Sequence, residues 1–167
     1  MMRTPTQSFL SLLERLEGYA AMLAYVSVAT LLIGDVLARE VIGVPVLGSQ
    51  SIAVMAAIVA GFLGLSLATA KGIHLRPEVF DHVLPARFDP LLARGSDIVA
   101  AAFYGAMTVF AVRFVMESQA AGDRAAVLYF PLWPVQLVMP YAFLSCAIRH
   151  AAYAVNPRLK VAPKSAD

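Results

Sequence analysis

Charged side chains are scarce in this 167-residue sequence, where Asp, Glu, Lys and Arg make up only 14% of the residues. A soluble domain usually has about 25%. No charge occurs in the nineteen positions from Ile52 to Ala70. At about 1.5 Å per residue, a helix of that length matches the roughly 30 Å hydrocarbon core of a bilayer. The sequence therefore favours a membrane protein over a soluble domain.

Cysteine is almost absent, and the first seventeen positions have no continuous apolar core. Cys146 is the single cysteine, which excludes an internal disulfide, a cysteine-based metal cluster and a four-cysteine thiol oxidase. Charged residues interrupt the first seventeen positions, so we expect an uncleaved signal anchor rather than a cleaved signal peptide. The net charge of +2 is too small to indicate a nucleic-acid partner.

Four apolar segments have spanning length, and backbone groups in hydrocarbon must be paired within a helix. We predict an all-α integral membrane protein with transmembrane helices at about 19–37, 52–70, 98–116 and 131–153. Ten Lys and Arg residues lie in the two termini and the middle loop, and three lie on the opposite side, at Arg39, Arg113 and Arg124. This asymmetry predicts that both termini are cytoplasmic.

Amphipathic stretches flank the spans. Residues 1–17 carry an apolar stripe at helical spacing, which predicts a cytoplasmic, interfacial N-terminal helix. The middle loop has a second short stripe around Val79 to Leu84, for which an irregular loop is the alternative. The transmembrane domain is expected over 18–155, followed by a cytoplasmic tail at 156–167.

The two halves of the chain do not resemble each other. Many secondary transporters are built from internal repeats around a central site with broken helices. Without such a repeat, four short helices form a poor stand-alone transporter.

Small residues form two ridges on the second segment, one ending at Gly61 and the other centred on Gly64. Their four-residue spacing allows close approach of another helix. That helix could belong to the chain's own bundle or to another membrane subunit, and the sequence leaves both possibilities open.

Ionisable residues inside the spans are candidate functional groups. Asp35 precedes Arg39 by one helical turn, and Arg113 has the same spacing to Glu117. A proton relay at Asp35 is one interpretation. The other, which we favour, is a structural ion network at the outer membrane surface.

Histidines raise the question of haem, which needs axial ligands facing each other across a bundle or one ligand with an open site. His74 and His150 are expected at the same cytoplasmic end, and His82 in the interfacial stripe, so interfacial or loop histidines are the better interpretation. In segment four, Pro131 lies at the entry and Pro140 is expected to kink the helix. Trp133 and Tyr129 suit the outer aromatic belt.

The order of three patches resembles the small membrane subunit of tripartite ATP-independent periplasmic (TRAP) transporters, the DctQ-like family. The first patch is Val36-Leu37-Ala38-Arg39 followed by Ile42-Gly43-Val44-Pro45. The second runs from Gly61-Phe62-Leu63-Gly64 through Lys71-Gly72-Ile73-His74-Leu75 to Leu84-Pro85. The third is Tyr129-Phe130-Pro131-Leu132-Trp133 with Met139-Pro140. The family often has a tryptophan and an acidic pair where helix two begins, but this chain has Leu47-Gly48-Ser49-Gln50-Ser51, so no role of those acids is carried over.

The resemblance implies a non-catalytic scaffold subunit in the bacterial inner membrane, without a cofactor. Its implied partners are membrane lipid, a large DctM-like subunit that binds substrate and sodium, and a periplasmic solute-binding protein. The imported solute would be an organic acid, typically a carboxylate. Arg39 would lie on the docking side, and Gly72 and His74 at the cytoplasmic side. Two alternatives remain, namely a haem- or quinone-bearing anchor of an oxidoreductase and an orphan four-helix protein.

Overall fold

The computed structural model of the protein describes residues 5–71 and 89–159, and these residues are helical apart from short connections. Within these two ranges, four helices build the bundle: α1 (Pro5–Ile42), α2 (Ser49–Ala70), α3 (Asp89–Ala121) and, after a single turn at Trp133–Gln136, α4 (Val138–Val155). A 3-10 turn, Pro157–Leu159, follows α4. The expected stripe in the middle loop, with Gly72, His74 and His82, lies outside the described residues.

Three of these helices have the length and apolar composition of membrane spans, at Ser8–Ile42, Ser49–Ala70 and Arg94–Ala121. The fourth apolar segment forms α4, which has 18 residues and contains Arg149 and His150. An all-helical membrane fold is therefore confirmed for the described part of the chain. The fourth crossing of the membrane stays a prediction.

The predicted N-terminal helix does not separate from the first span. α1 continues for 38 residues from Pro5, which corresponds to about 57 Å of helix and exceeds the thickness of the hydrocarbon core. The apolar stripe of Phe9, Leu12, Leu16 and Tyr19 is exposed, whereas Glu17 is buried. In this helix the polar side chain faces the protein and the apolar stripe faces outward.

The bundle packs in antiparallel pairs, α1 against α2 and α3 against α4, with α2 against α4 between the pairs. Small side chains meet between α2 and α4, with Ser66 Oγ 2.9 Å from Ser145 Oγ and Thr69 Oγ1 3.3 Å from Cys146 Sγ. Phe143 of α4 contacts Phe62 of α2 edge-on at 5.6 Å and stacks on Tyr104 of α3 at 6.3 Å between ring centres. The hydrophobic effect does not drive helices together in lipid. Small residues instead allow the close approach that van der Waals packing between helices requires.

The predicted kink of the last segment is a break in the helix. The turn Trp133–Gln136 ends at Leu137, and α4 restarts at Val138. Pro140 therefore lies in the first turn of α4 rather than in its interior. A proline costs little there, because first-turn amides have no partner within the helix.

Candidate functional site

Polar side chains form a cluster at each of the two ends of the helix bundle. At the first, which we call the Arg149 end, Glu17 and Arg149 form an ion pair with Nη2 and Oε2 2.7 Å apart, and each side chain is only 1% exposed. A buried carboxylate or guanidinium without a partner is costly in hydrocarbon. The pair therefore ties the start of α1 to the end of α4.

Hydroxyl groups also donate hydrogen bonds to the Glu17 carboxylate. Ser145 Oγ donates to Glu17 Oε1 at 2.7 Å, and Tyr141 donates to the same oxygen at 3.2 Å. Ser66 Oγ on α2 donates to Ser145 Oγ at 2.9 Å. One connected network thus joins α1, α2 and α4, and both oxygens of Glu17 accept hydrogen bonds.

A second buried pair at the same end joins α3 to α4. His150 Nδ1 lies 3.1 Å from Asp97 Oδ1, and both side chains are buried. The Tyr104 ring stacks on the imidazole at 5.7 Å with 10° between the planes, and Tyr153 meets it edge-on at 6.2 Å. His150 is therefore an interior residue on a helix, which differs from the interfacial or loop position expected from the sequence.

Arg149 and His150, which are consecutive residues of α4, thus contact different neighbouring helices. Side chains of adjacent helix positions point about 100° apart, so Arg149 reaches α1 while His150 reaches α3. Each of these cationic or ionisable groups meets one acid. Together the two pairs and the hydroxyl groups connect α1, α2, α3 and α4 at this end.

The opposite end, which we call the Asp35 end, is built around the predicted spacing of Asp35 and Arg39. The Asp35 carboxylate is 4% exposed and pairs with the Arg39 guanidinium, which is 48% exposed. The other oxygen of Asp35 accepts the backbone amide of Val46 at 2.9 Å. Asp35 thereby fixes the α1–α2 loop to the end of α1.

A cavity of about 280 Å³ opens beside this pair. Its walls come from three places: Asp35 and Arg39 on α1, residues 45–51 of the loop and the start of α2, and Val127 from the connection after α3. Apolar side chains form much of the wall. The α1–α2 loop and the connection after α3 both line this cavity at the Asp35 end.

The other predicted site residues do not gather around these clusters. Arg113 and Glu117 are exposed on α3, and the described residues contain no ion pair between them within 4.0 Å. Gly61 is exposed and Gly64 is half-buried, and a Cβ atom built on either meets no atom within 4 Å. These glycines are therefore not closely packed within the described part of the bundle.

The predicted entry residues of the last segment have mixed environments. Pro131 is exposed and forms an isolated antiparallel bridge with Arg124, Trp133 is half-buried, and Pro140 is buried. Gly72 and His74 belong to the stretch that the structure does not describe.

Sequence reasoning missed most of the Arg149 end. The sequence pattern predicts an interfacial helix over residues 1–17, and it does not single out Glu17, Ser66 or Ser145. The available signal was Arg149, a charge inside an apolar helical segment that requires a buried acid. Its partner is 132 positions away in the sequence, so only the tertiary fold identifies Glu17.

Metal binding finds no support in these clusters. Within the described ranges, no group of three or more His, Cys, Asp or Glu side chains could hold a metal ion. The clusters pair acidic with basic side chains, between helices at the Arg149 end and within α1 at the Asp35 end. Fold and clusters together define a helical membrane protein whose buried charges pair with each other.

One family has a sequence model that matches residues 19–159, and it is described as tripartite ATP-independent periplasmic transporters, DctQ component. The match covers most of the chain, so the protein belongs to the DctQ family of TRAP transporter small membrane subunits. This confirms the resemblance inferred from the three sequence patches. The family is a class of transporter components and not a class of enzymes. No curated protein shows significant similarity to the chain.

Proposed function

We propose that this protein is the scaffold subunit of a TRAP-type secondary transporter that imports an organic acid, typically a carboxylate. It would act with a large DctM-like membrane subunit and a periplasmic solute-binding protein. The family match supports the role as a transporter component. The solute and the two partners are inferred from what the resemblance implies.

The observation that carries the scaffold role is the pairing of the buried charges. The three buried acids among the described residues, Glu17, Asp35 and Asp97, each contact a basic side chain on the same or another helix. The two pairs between helices, Glu17 with Arg149 and Asp97 with His150, oppose large helix movements, because separation would leave a buried acid without its partner in a low dielectric. A rigid bundle suits the fixed part of a transporter.

We propose a four-span topology in the bacterial inner membrane with both termini in the cytoplasm. The distribution of Lys and Arg supports this orientation. The Arg149 end would then face the cytoplasm and the Asp35 end the periplasm. Arg39 would lie where a solute-binding protein docks, and the exposed Gly61 would lie on a helix face open to the large subunit.

Co-expression with a large DctM-like membrane subunit tests this function. We expect the two chains to co-purify and to restore solute uptake only when the solute-binding protein is also present. Vesicles that contain this chain alone are the control and should show no saturable flux. Saturable flux in those vesicles, or failure of the two subunits to associate, would refute the scaffold role.

A haem- or quinone-bearing anchor of an oxidoreductase is the second candidate. Its supporting observation is the buried His150, which lies inside the bundle rather than in a loop. Against it, the imidazole already contacts Asp97 and stacks on Tyr104. A visible absorption spectrum of the purified chain tests the haem-bearing form of this candidate, because a Soret band would be expected only if the chain holds haem.

A further inference from the structure

An ordered hairpin connects α3 to the last segment. α3 ends at Ala121, and the chain then turns back on itself, with Ala125 N donating to Phe130 O at 2.8 Å and Leu132 N donating to Asp123 O at 3.1 Å. Tyr129 N also donates to Ala125 O at 2.9 Å. We call residues 127–130 the hairpin tip.

The hairpin tip presents apolar and aromatic side chains outward. Val127, Leu128, Tyr129 and Phe130 are 51%, 41%, 72% and 45% exposed. Tyr129 has a φ of 53°, a left-handed conformation that residues with a side chain adopt at a cost of about 1–2 kcal/mol. The hydrogen bonds of the hairpin hold the tyrosine in this conformation, with its ring exposed.

The hairpin tip lies level with the helix ends and not beyond them. Val127 lines the same cavity as Asp35 and Arg39. Asp35 precedes the end of α1 at Ile42 by seven residues, or about 10 Å of helix. Leu128 also packs against Gly48, the residue before α2. The hairpin tip therefore packs against the ends of the helices at the Asp35 end.

The surface next to the hairpin tip is also apolar. On the α1–α2 loop, Val44 is 61% and Leu47 is 86% exposed. The last residues of α1, Val41 and Ile42, are 80% and 73% exposed and belong to the candidate span Ser8–Ile42. Leu47 and Val127 line the same cavity, so the tip adjoins this apolar surface.

We propose that the hairpin tip inserts into the lipid interface on the Asp35 side of the bilayer and anchors that end of the bundle. Its occupant is the boundary between phospholipid headgroups and acyl chains, where Tyr and neighbouring apolar side chains are favoured. The charged residues Asp123 and Arg124 lie at the base of the hairpin and not at its tip. This proposal does not depend on the transporter assignment.

The single tryptophan of the chain makes a direct test possible. In a full-length Trp133→Phe background, Tyr129→Trp places the only indole at the hairpin tip, and Arg124→Trp places it at the base as a matched control. Both proteins are reconstituted in phosphatidylcholine vesicles with or without brominated acyl chains. Indole emission is then measured against bromine and against water-soluble acrylamide, after circular dichroism shows equal helicity.

We expect the Tyr129→Trp protein to lose most of its emission in brominated vesicles and to be shielded from acrylamide. The Arg124→Trp protein should show the reverse. If Tyr129→Trp reduces helicity, Phe130→Trp places the indole at the same tip, and the same quenching is measured on that protein. Quenching of the tip indole by acrylamide with no loss in brominated lipid would overturn the proposal and would indicate a surface free for a soluble protein.

Discussion

Arg149 shows how one side chain can organise several helices. Its guanidinium bonds to Glu17 at 2.7 Å and lies 3.4 Å from Ser145 Oγ on the preceding turn of its own helix. The carboxylate also receives two hydroxyl groups. Because Glu17 and Ser145 each take part in several of these hydrogen bonds, loss of one member should weaken the bonds of the others.

Removing one partner of this pair should cost more than removing both. We expect Arg149→Met to lower the free energy of unfolding by about 3–5 kcal/mol, the usual cost of breaking a buried ion pair. The double variant Glu17→Gln with Arg149→Met should recover much of that loss, because no charge stays buried alone. Unfolding in detergent, followed by circular dichroism, measures both. Equal losses in the single and double variants would show that the pair does not act as a unit.

Arg39 is the second residue for which we predict an effect. In Arg39→Ala, Asp35 would lose its guanidinium partner and keep the Val46 amide, so the α1–α2 loop should loosen at a cost of about 1–3 kcal/mol. We expect weaker uptake by the assembled transporter, and Arg39→Lys should preserve more of it. Radiolabelled solute uptake is the measurement. Normal uptake at normal complex levels in Arg39→Ala would contradict a role at this end.

At the scale of elements, adjacent residues of α2 have opposite environments. Ala60 is fully buried, whereas Gly61 is exposed with open space around its Cα. The sequence left open whether the small residues pack inside the bundle or against another subunit. The open surroundings of Gly61 support the second possibility at that position.

A matched pair of substitutions distinguishes the two surfaces. Gly61→Leu should leave the helicity and thermal stability of the isolated chain nearly unchanged but reduce co-purification with the large subunit, because bulk prevents close helix approach. Ala60→Leu should instead destabilise the chain itself by about 1–3 kcal/mol through overpacking. Full co-purification of the Gly61→Leu protein would remove this face from the proposed interface.

The α1–α2 loop depends on Gly48, which has a φ of 83°. A Cβ atom at this position would lie 2.7 Å from Leu128 Cδ2. We expect Gly48→Ala to destabilise the protein by about 1–2 kcal/mol from the left-handed backbone alone. Leu128→Ala removes the steric contact but not the backbone strain, so a double-mutant cycle should show only partial recovery. Full recovery would mean that the contact, and not the backbone, limits this position.

At the scale of the whole molecule, the direction of the bundle across the membrane determines which partner meets which end. We predict that reporter enzymes fused after Asp167 and before Met1 are both active in the cytoplasm. A reporter inserted at Ala126, in the hairpin after α3, should be active only outside. A C-terminal reporter active outside would overturn the four-span topology and would exchange the roles proposed for the two ends.

The apolar helices were predictable because their signal is local. Nineteen residues without charge indicate a span whatever they pack against, and the i to i+4 spacing of Asp35 and Arg39 depends only on helix geometry. The continuity of α1 was not predictable, because a stripe with flanking charges suits an interfacial helix as well as a helix whose polar face is buried. The buried position of His150 likewise depends on α3, which the sequence does not place.

By itself the sequence determined a helical membrane protein of a particular family, because hydrophobic length, charge distribution and short motifs are read along the chain. Only the tertiary structure decided which distant side chains share a site. Glu17, Ser66 and Arg149 meet because α1, α2 and α4 pack with their polar residues at one end, where a charge must find its opposite. Complementary charges can satisfy that requirement across any separation in sequence, and only the packing of the helices selects the pair.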